Sequence, residues 1–373
     1  MTARKPTATG ERRTARRSRT TATKPLRVLV LTHVDLVPPD SLEGQSEKDI
    51  AAWRKEYDVC LGLRELGHEV QVLGVSHDLA PIKQHVEGFQ PHVVFHLLME
   101  FQDVAVYQAH VTSYLELLRV PYAGCNPRGL LLARDKALSK LLFRVHRIPT
   151  PGFLVFARDH AIRVPKRLGY PLIVKSVDEE ASLGIAQASI VHDEEHLRER
   201  VAFVHRRVAT DAIAEQYVAG RELTIGVLGN DRLATFPVWE MFFENLPEGS
   251  EPIATARVKW DIAYQRRVGI DTGPARELAP ELDAEINRIA RRTYKALGLS
   301  GYARIDLRLD DAGKLHVIEA NPNPDLTKAE DFARSAAATG LEYNALLQRI
   351  LNLGMKHRSP WKAASRRSPT ASS

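Results

Sequence analysis

The stretch GYARIDLRLDDAGKLHVIEANPNPDLT, residues 301–327, contains the pattern that decides the fold of this chain. Charged and apolar residues alternate in RIDLRL, so an extended strand places its charged side chains on one face and its apolar side chains on the other. The polar segment DDAG would form a turn that pairs this strand with the apolar residues 315–320. The pattern therefore predicts two neighbouring strands of an antiparallel sheet.

The register of this strand pair decides which side chains meet. With the turn centred on Asp311 and Ala312, Arg304 lies opposite Glu319. One face then carries four polar residues: Arg304, Asp306, Glu319 and Asn321. Carboxylate and amide oxygens are the ligands that Mg²⁺ prefers, and Mg²⁺ takes its other ligands from water and substrate phosphates. The alternative is a solvated, salt-bridged face on two amphipathic strands, although residues 315–320 are too apolar to lie exposed.

Two lysines upstream are candidates for binding phosphate. Lys136 opens a predicted helix over 135–146, and Lys175 ends the apolar strand PLIVK just before EEASLGI, residues 179–185. A polyphosphate needs point charges and backbone N–H donors, which lysines and such a loop supply. The alternative is that these lysines only extend their ammonium groups to solvent.

The segment AEQYVAGRELTIGVL, residues 214–228, has the features of a nucleoside site. A predicted strand carries Glu215, the chain breaks at Ala219 and Gly220, and Glu222 follows. Such a segment offers backbone groups to an adenine and a carboxylate to ribose hydroxyls. An ordinary β-hairpin is the alternative.

These segments occur in the order and spacing of the ATP-grasp superfamily, and the chain most resembles its D-alanine:D-alanine ligase branch. They are residues 135–151, 171–185, 215–222 and 304–327. The resemblance is strong over residues 120–350 and covers 25–120 in outline. It implies an ATP- and Mg²⁺-dependent ligase that joins a small-molecule carboxylate to an amine through an acyl phosphate.

The resemblance also implies roles for single residues. Eight would bind ATP: Lys136, Lys175, Ser182, Gly184, Glu215, Gln216, Val218 and Glu222. The two lysines would contact phosphates, Ser182 and Gly184 would belong to a closing loop, and Glu222 would contact the ribose. Three would hold two Mg²⁺ ions, with Mn²⁺ as an alternative: Asp306, Glu319 and Asn321.

Two catalytic residues follow from the same resemblance. Arg304 would stabilise an acyl phosphate or contact a substrate carboxylate. Lys259 matches an additional phosphate-contacting lysine of the ligases, with Arg257 as the alternative. The chemistry requires no side-chain nucleophile, and the sequence contains no G-x-S-x-G motif.

The sequence departs from the ligases on the amino-acid side of the predicted cleft. Their Glu-containing loop after the first strand is replaced by THVDLVPPDS, residues 32–41, and their His-Gly loop by residues 96–101. Asp325 replaces a glycine, and Glu330 replaces the serine that receives the acceptor carboxylate. We therefore expect a substrate other than D-alanine, with Glu100 and Glu330 contacting an ammonium or polyamine-like group.

Some residues near the predicted strand ends have competing interpretations. Glu100 would instead cap a helix beginning near Asp103. His33 and His96 are candidates for acid–base groups or for hydrogen-bonded structural residues. Cys125 is expected to pack between domains.

The fold class is predicted to be α/β and α+β, an ATP-grasp fold preceded by a small open parallel α/β domain with disordered basic tails. Strands are predicted at 26–31, 69–75 and 93–98, with helices at 47–66, 79–88 and 104–118. Residues 212–217 and 222–228 are predicted to join the larger antiparallel sheet. The predicted units are a basic tail 1–24, an N-terminal domain 25–125, a small subdomain 126–211, a large subdomain 212–355 and a basic tail 356–373.

Charge and composition limit the partners. Of the net charge of +6, residues 1–24 contribute +7 and residues 356–373 contribute +5, so the chain between them is acidic. Nucleic acid is therefore expected to bind only weakly, through the tails. Two cysteines and the absence of any long apolar run predict a cytoplasmic protein without membrane contact. The resemblance to the ligases also implies that the chain forms a homodimer. The alternative function is a non-catalytic ATP-binding or partner-docking protein on the same scaffold.

Overall fold

A computed structural model describes residues 24–164, 169–178 and 185–365 of the chain. Three sheets organise this part of the molecule. Among the described residues, no helix combines the length and the apolar character needed to cross a membrane. The predicted disorder of residues 1–23 and 366–373 falls outside the described residues.

The N-terminal sheet is parallel, with the strand order β2–β1–β3–β4, as the alternation of strands and helices predicts. Its strands are β1 Arg27–His33, β2 Glu69–Val75, β3 Val93–His96 and β4 Tyr122–Ala123. Its helices are α1 Glu47–Glu65, α2 Ala80–Phe89 and α3 Tyr107–Leu117. Helix α3 begins later than the predicted residue 104, because Val104 forms an isolated antiparallel bridge with Phe101 instead of joining the helix.

The small sheet is antiparallel, in the order β5–β8–β6–β7. Its strands are β5 Phe153–Phe156, β6 Leu172–Ser176, β7 Ile190–Val191 and β8 Ala212–Gln216, and helix α6 Glu194–Phe203 packs against it. Helices α4 Pro127–Arg134 and α5 Lys136–Val145 precede β5 in the chain. The prediction that β8 belongs to the larger sheet is wrong, since β8 pairs with β5 and β6. The hairpin alternative for residues 214–228 is wrong for the same reason.

The large sheet has the order β12–β11–β9–β13–β14, with β10 paired to β9. Its strands are β9 Arg221–Leu228, β10 Ala234–Thr235, β11 Trp239–Phe243, β12 Ile270–Pro274, β13 Tyr302–Leu309 and β14 Leu315–Pro322. The later helices are α7 Ala256–Trp260, α8 Ile262–Val268, α9 Pro280–Ala296, α10 Asp331–Ala337, α11 Tyr343–Lys356 and α12 Pro360–Ser365. Ile305 and Leu307 of β13 are buried in one core with Ile286 and Tyr294 of α9, so the opposite face of β13 is available to a site.

The first ten residues of the predicted C-terminal tail are ordered, contrary to the prediction. Within the predicted tail 356–373, Ser359 is buried and helix α12 follows it. The Lys362 ammonium donates hydrogen bonds to the carbonyls of Met355 and His357, at the end of α11. A cation that satisfies the last carbonyls of a helix stabilises this turn of chain.

A β-bulge interrupts the pairing of β13 with β14. Leu307 lies opposite Val317, but Asp306 lies opposite Glu319, so Ile318 has no partner on β13. Arg304 consequently lies opposite Asn321, and the predicted pairing of Arg304 with Glu319 is wrong. Because side chains alternate along a strand, one skipped residue moves Glu319 and Asn321 onto the face of Asp306.

Candidate functional site

A cleft with about 780 Å³ of space, part of it open to solvent, is lined by residues of the small and large sheets. Nine of the predicted site residues line it: Lys136, Lys175, Glu215, Gln216, Val218, Glu222, Lys259, Asp306 and Glu319. Predicted residues Ser182 and Gly184 lie outside the described part of the chain. The remaining two, Arg304 and Asn321, contact Asp306.

The four polar residues of the β13–β14 face form one connected group, as predicted. Arg304 donates from Nε and Nη2 to the two carboxylate oxygens of Asp306, at 2.7 and 2.8 Å. The Asn321 amide donates to Asp306 Oδ2 at 3.0 Å and to Glu319 Oε1 at 3.4 Å. Arg304 therefore holds a predicted metal ligand, a contact that the sequence pattern did not reveal.

The charge around Glu319 is strongly positive. Burial alone would raise the pKa of Glu319, but the nearby cations Lys136, Lys175, Lys259 and Arg304 outweigh it and lower this pKa to about 2. Burial raises the pKa of the neighbouring Asp306 carboxyl despite the Arg304 ion pair. Two buried carboxyl groups beside each other repel when both are ionised, and a cation between them removes that repulsion.

The donor set fits Mg²⁺. Asp306, Glu319 and Asn321 offer the carboxylate and amide oxygens that this ion prefers. The amide nitrogen of Asn321 now lies toward both carboxylates, so a bound cation requires the amide to turn and present Oδ1 instead. Lys259 lines the cleft, whereas Arg257 is held by Asp261 at 3.4 Å, which favours Lys259 as the extra lysine.

Glu215 lies in the part of the cleft where the resemblance implies adenine binding, which we call the base end. Its side chain is buried, and its Oε2 lies 3.2 Å from Lys140 Nζ and 3.4 Å from Lys175 Nζ. Its other oxygen, Oε1, is buried without a hydrogen-bond partner among the described residues. Burial would raise the pKa of Glu215, but the two lysines lower it, so the carboxylate is charged. A buried acceptor of this kind fits an amino group such as that of adenine.

Arg308 is a residue of the cleft that we did not assign a role from the sequence. Its guanidinium donates to the carbonyls of Gly220 at 2.8 Å and Pro252 at 2.6 Å, and it lies 3.5 Å from Glu222. It also lies over the ring of Tyr217. Arg308 thus connects β13 to two segments that border the base end. The sequence feature that could have identified it is its position on the charged face of RIDLRL.

Lys140 is the second residue without a role assigned from sequence. It follows Lys136 by one helical turn on α5. Asp135 caps the N-terminus of this helix, because its carboxylate accepts a hydrogen bond from the backbone N–H of Leu138. Its side chain is fully buried and contacts Glu215. The sequence signal was the repeated lysine in DKALSK.

The amino-acid side is more exposed. Glu100, Asp325 and Glu330 are all exposed, and burial with two neighbouring acids raises the pKa of Glu330. Glu100 does not cap α3, which begins after Val106 without a side-chain cap. Among the described residues, His33, Glu100 and Asp103 have side-chain ligand atoms within 4.8 Å of one another.

The two strand-end histidines differ. His33 accepts a hydrogen bond from the backbone N–H of Asp35, in agreement with a structural role. His96 is buried, and among the described residues neither ring nitrogen makes a full hydrogen bond, although the backbone of Gln108 lies close enough to oppose the lowering of its pKa. Burial lowers the pKa of His96 to about 4 and keeps it neutral. Cys125 is also buried, and its backbone N–H donates to Asn323 across 198 residues of sequence.

Comparison with known proteins agrees with this geometry. The family model of the D-ala D-ala ligase C-terminus matches residues 142–352. The chain is 34% identical to the D-alanine–D-alanine ligase of Bordetella avium over 68% of this chain and 76% of that protein. It is 32% identical to the uncharacterized protein y4sG of Sinorhizobium fredii, over 79% of this chain and 85% of that protein.

A solved structure shows the same fold. The D-alanine–D-alanine ligase from Bacillus anthracis complexed with ATP superimposes with a TM-score of 0.68 at 22% identity, and the match covers 89% of this chain and 98% of that one. Together with the family model, which spans more than half of the sequence, this match confirms the predicted resemblance. The chain belongs to the D-alanine–D-alanine ligase-like branch of the ATP-grasp superfamily.

Proposed function

We propose that this protein is an ATP- and Mg²⁺-dependent carboxylate–amine ligase whose acceptor is not D-alanine. The observation that carries the proposal is the pairing of Asp306 and Glu319 with a group of lysines in one cleft. A site for phosphoryl transfer needs this combination of oxygen ligands for a cation and positive charges for the phosphates.

The chain's own residues would position and neutralise the reactants. Lys136, Lys175 and Lys259 would bind the phosphates, and Arg304 would spread the charge of the transferring phosphoryl group once it is bound. Asp306, Glu319 and Asn321 would hold the divalent ion, which supplies charge neutralisation when bound. Glu215 Oε1 would accept a hydrogen bond from the adenine amino group. Transfer of the γ-phosphoryl group of ATP to the substrate carboxylate would release ADP and give an acyl phosphate. An amine would then attack its carbonyl carbon, form the amide and release phosphate, so no protein nucleophile is required.

The exposed acids favour a cationic acceptor. Where the ligases have a serine for the acceptor carboxylate, this chain has Glu330, beside Asp325 and Asp331. Asp331 is paired with Arg334 at 3.9 Å, and Arg304 also lies near Glu330. Glu330 and Asp325 are therefore the two acids that would repel a carboxylate and attract an ammonium group. We therefore propose an amine or amino-acid acceptor with a cationic group at this position, and a role for Glu100 in the same recognition.

Other parts of the proposal concern stoichiometry and context. We propose two Mg²⁺ ions, with Mn²⁺ as a substitute, and small-molecule carboxylate and amine substrates. We further propose a cytoplasmic homodimer and only weak nucleic-acid binding through the basic ends. The domain boundaries stay predictions, with β8 now grouped with the small sheet.

The first test is ADP release by the full chain with Mg-ATP. D- and L-amino acids, hydroxy acids and polyamines serve as a panel, and mass analysis identifies products. A new amide that forms with the wild type and is lost in Glu319→Ala supports the proposal. ATP binding without turnover on any acceptor would instead support a non-catalytic ATP-binding protein.

A further inference from the structure

The Lys140 ammonium has three partners in the interior of the molecule. It lies 3.2 Å from Glu215 Oε2, and it donates to Thr150 Oγ1 at 3.1 Å and to the carbonyl of Ile318 at 2.9 Å. A lysine ammonium has three N–H donors, so these three acceptors satisfy it completely. A fully buried ammonium is costly unless it is paired in this way, and burial lowers the pKa of Lys140 while Glu215 opposes that shift.

We propose that Lys140 is a positioning residue that sets the geometry of the metal ligands and of the base-binding carboxylate together. The inference rests on the proposed nucleotide and metal site, and it adds a residue that would contact neither nucleotide nor metal. The inference has two branches, one for each contact of Lys140: the first is its contact with Ile318 at the bulge in β14, and the second is its contact with Glu215.

The first branch concerns the bulge. Ile318 is the residue that the bulge leaves without a partner on β13, and Lys140 binds its carbonyl. The neighbouring backbone groups are also occupied, because Thr150 Oγ1 donates to the Val317 carbonyl and the Val317 N–H donates to the Pro149 carbonyl. A bulge persists when its unpaired backbone groups find other partners.

The consequence for the metal ligands follows from strand alternation. In a regular ladder continued from Leu309 opposite Leu315, Asp306 would lie opposite Ile318 and Glu319 would turn to the other face. The bulge places Glu319 opposite Asp306 instead. By binding Ile318, Lys140 therefore stabilises the register in which Asp306, Glu319 and Asn321 share a face.

The second branch concerns Glu215. Lys140 and Lys175 both contact Oε2, which leaves Oε1 as the acceptor without a partner. Glu215 lines the cleft, so its orientation decides what the base end can bind. One buried ammonium thus holds a carboxylate of the base end and the backbone behind the metal ligands.

Calorimetric titration of the full chain with ADP separates the two branches. One titration contains EDTA, which leaves only the nucleotide contacts, and the second contains excess Mg²⁺. Lys140→Met keeps most of the length of the unbranched side chain and removes its charge and donors. Thr150→Val removes only the hydroxyl that supports the bulge and binds Lys140. Lys83→Met, an exposed lysine on α2, is the matched control.

We expect Lys140→Met to weaken ADP binding about 10-fold in EDTA and about 100-fold with Mg²⁺, since a displacement of about 1 Å costs that much in a positioned site. Thr150→Val is expected to leave the EDTA titration within about two-fold of wild type and to weaken the Mg²⁺ titration about five-fold, because of the two hydrogen bonds that it loses the one to Val317 supports the bulge. The Lys83→Met control should match the wild type in both.

Thermal unfolding is measured on each variant, and titrations are made well below its midpoint. If folded Lys140→Met binds ADP as the wild type does in both titrations, Lys140 has only a structural role and the proposal is overturned. If Lys140→Met loses the same ADP affinity in both titrations and Thr150→Val binds ADP as the wild type does, the claim that Lys140 supports the bulge is refuted. If Lys140→Met does not fold, the Mg²⁺ titration of Thr150→Val decides. A wild type that binds ADP in neither titration refutes the proposed function itself.

Discussion

The carboxylates on the proposed nucleotide side of this protein lie against cations, whereas those on the proposed amino-acid side lie exposed. On the nucleotide side, Glu215 has two lysines within 3.4 Å, and Asp306 has both oxygens bound by Arg304. On the amino-acid side, Glu100, Asp325 and Glu330 are exposed, and none of them makes an ion pair with a cation among the described residues. The carboxylates of the first side are paired with cations of the chain, whereas those of the second side have no ion pair among the described residues.

The contrast indicates where the free energy of recognition comes from. Buried ion pairs are costly to assemble and are strongly destabilised when one partner is lost, so they hold a fixed geometry. Exposed acids are screened and cost little, and they gain most when a cationic ligand excludes water from them. Phosphoryl transfer requires a fixed geometry such as the first arrangement gives, while exposed acids can be exchanged with little effect on the fold.

The largest effect is expected on the nucleotide side. Glu319→Ala removes a carboxylate of the proposed ion site, and we expect ADP release to fall at least about 1,000-fold, the scale of losing a principal electrostatic contact. ADP release in the presence of Mg-ATP and the identified acceptor is the measurement. Glu281→Ala, an exposed acid of α9, is the control. A loss below about ten-fold would show that the ion is held elsewhere.

A substitution on the amino-acid side should change the kinetic constants for the acceptor and not those for ATP. We expect Glu330→Gln to lower kcat/KM for a cationic acceptor about 30-fold, because a partly desolvated charge pair is worth about 2 kcal/mol. The KM for ATP should stay within about two-fold. Glu342→Gln, an exposed acid at the start of α11, is the control. An unchanged acceptor constant with a raised KM for ATP would place Glu330 on the nucleotide side instead.

Arg308 should have a smaller effect, limited to nucleotide binding. Arg308→Met loses hydrogen bonds to Gly220 and Pro252, and we expect the KM for ATP to rise about ten-fold, or about 1.4 kcal/mol. The acceptor KM should not change. Initial rates with varied ATP measure this, with Arg288→Met on α9 as the control. Equal changes in both constants would mean that Arg308 supports the whole cleft.

The smallest effect on turnover is expected for His96→Leu, because His96 influences the free energy of unfolding and not the reaction. Its pKa is about 4 in the folded chain and about 6.5 when unfolded, so the unfolded state binds more protons between these values and stability falls as pH decreases from 7 to 4. The loss reaches about 3 kcal/mol. Denaturant unfolding at several pH values should show a shallower pH dependence for His96→Leu than for wild type.

An exposed histidine, in His192→Leu, provides the comparison for this pH series. Its variant should keep the wild-type slope of stability against pH. If His96→Leu also keeps that slope, His96 is protonated or solvated in the folded chain. The amino-acid side would then be more open than the buried imidazole indicates.

Much of the fold follows from local patterns. The strand Glu69–Val75 and the start of α1 at Glu47 agree with prediction, because alternation and a serine cap are local signals. The assignment of β8 failed because the residues between β8 and β9 look like a hairpin turn, and only pairing with β5 and β6 decides which sheet a strand joins. The candidate cleft residues were found mainly because their types recur in a known order.

By itself, the sequence determined which residues carry charge and which strands carry them: Arg304, Asp306 and Arg308 on β13, and the lysines of α5 and β6. Only the tertiary structure decided how they combine. The bulge at Ile318 and the burial of Glu215 are both supported by Lys140, which contacts Ile318 and Glu215 across more than 70 residues of sequence. The physical reason is that side-chain alternation is a property of neighbours along a chain, whereas register and charge pairing depend on what packs against it.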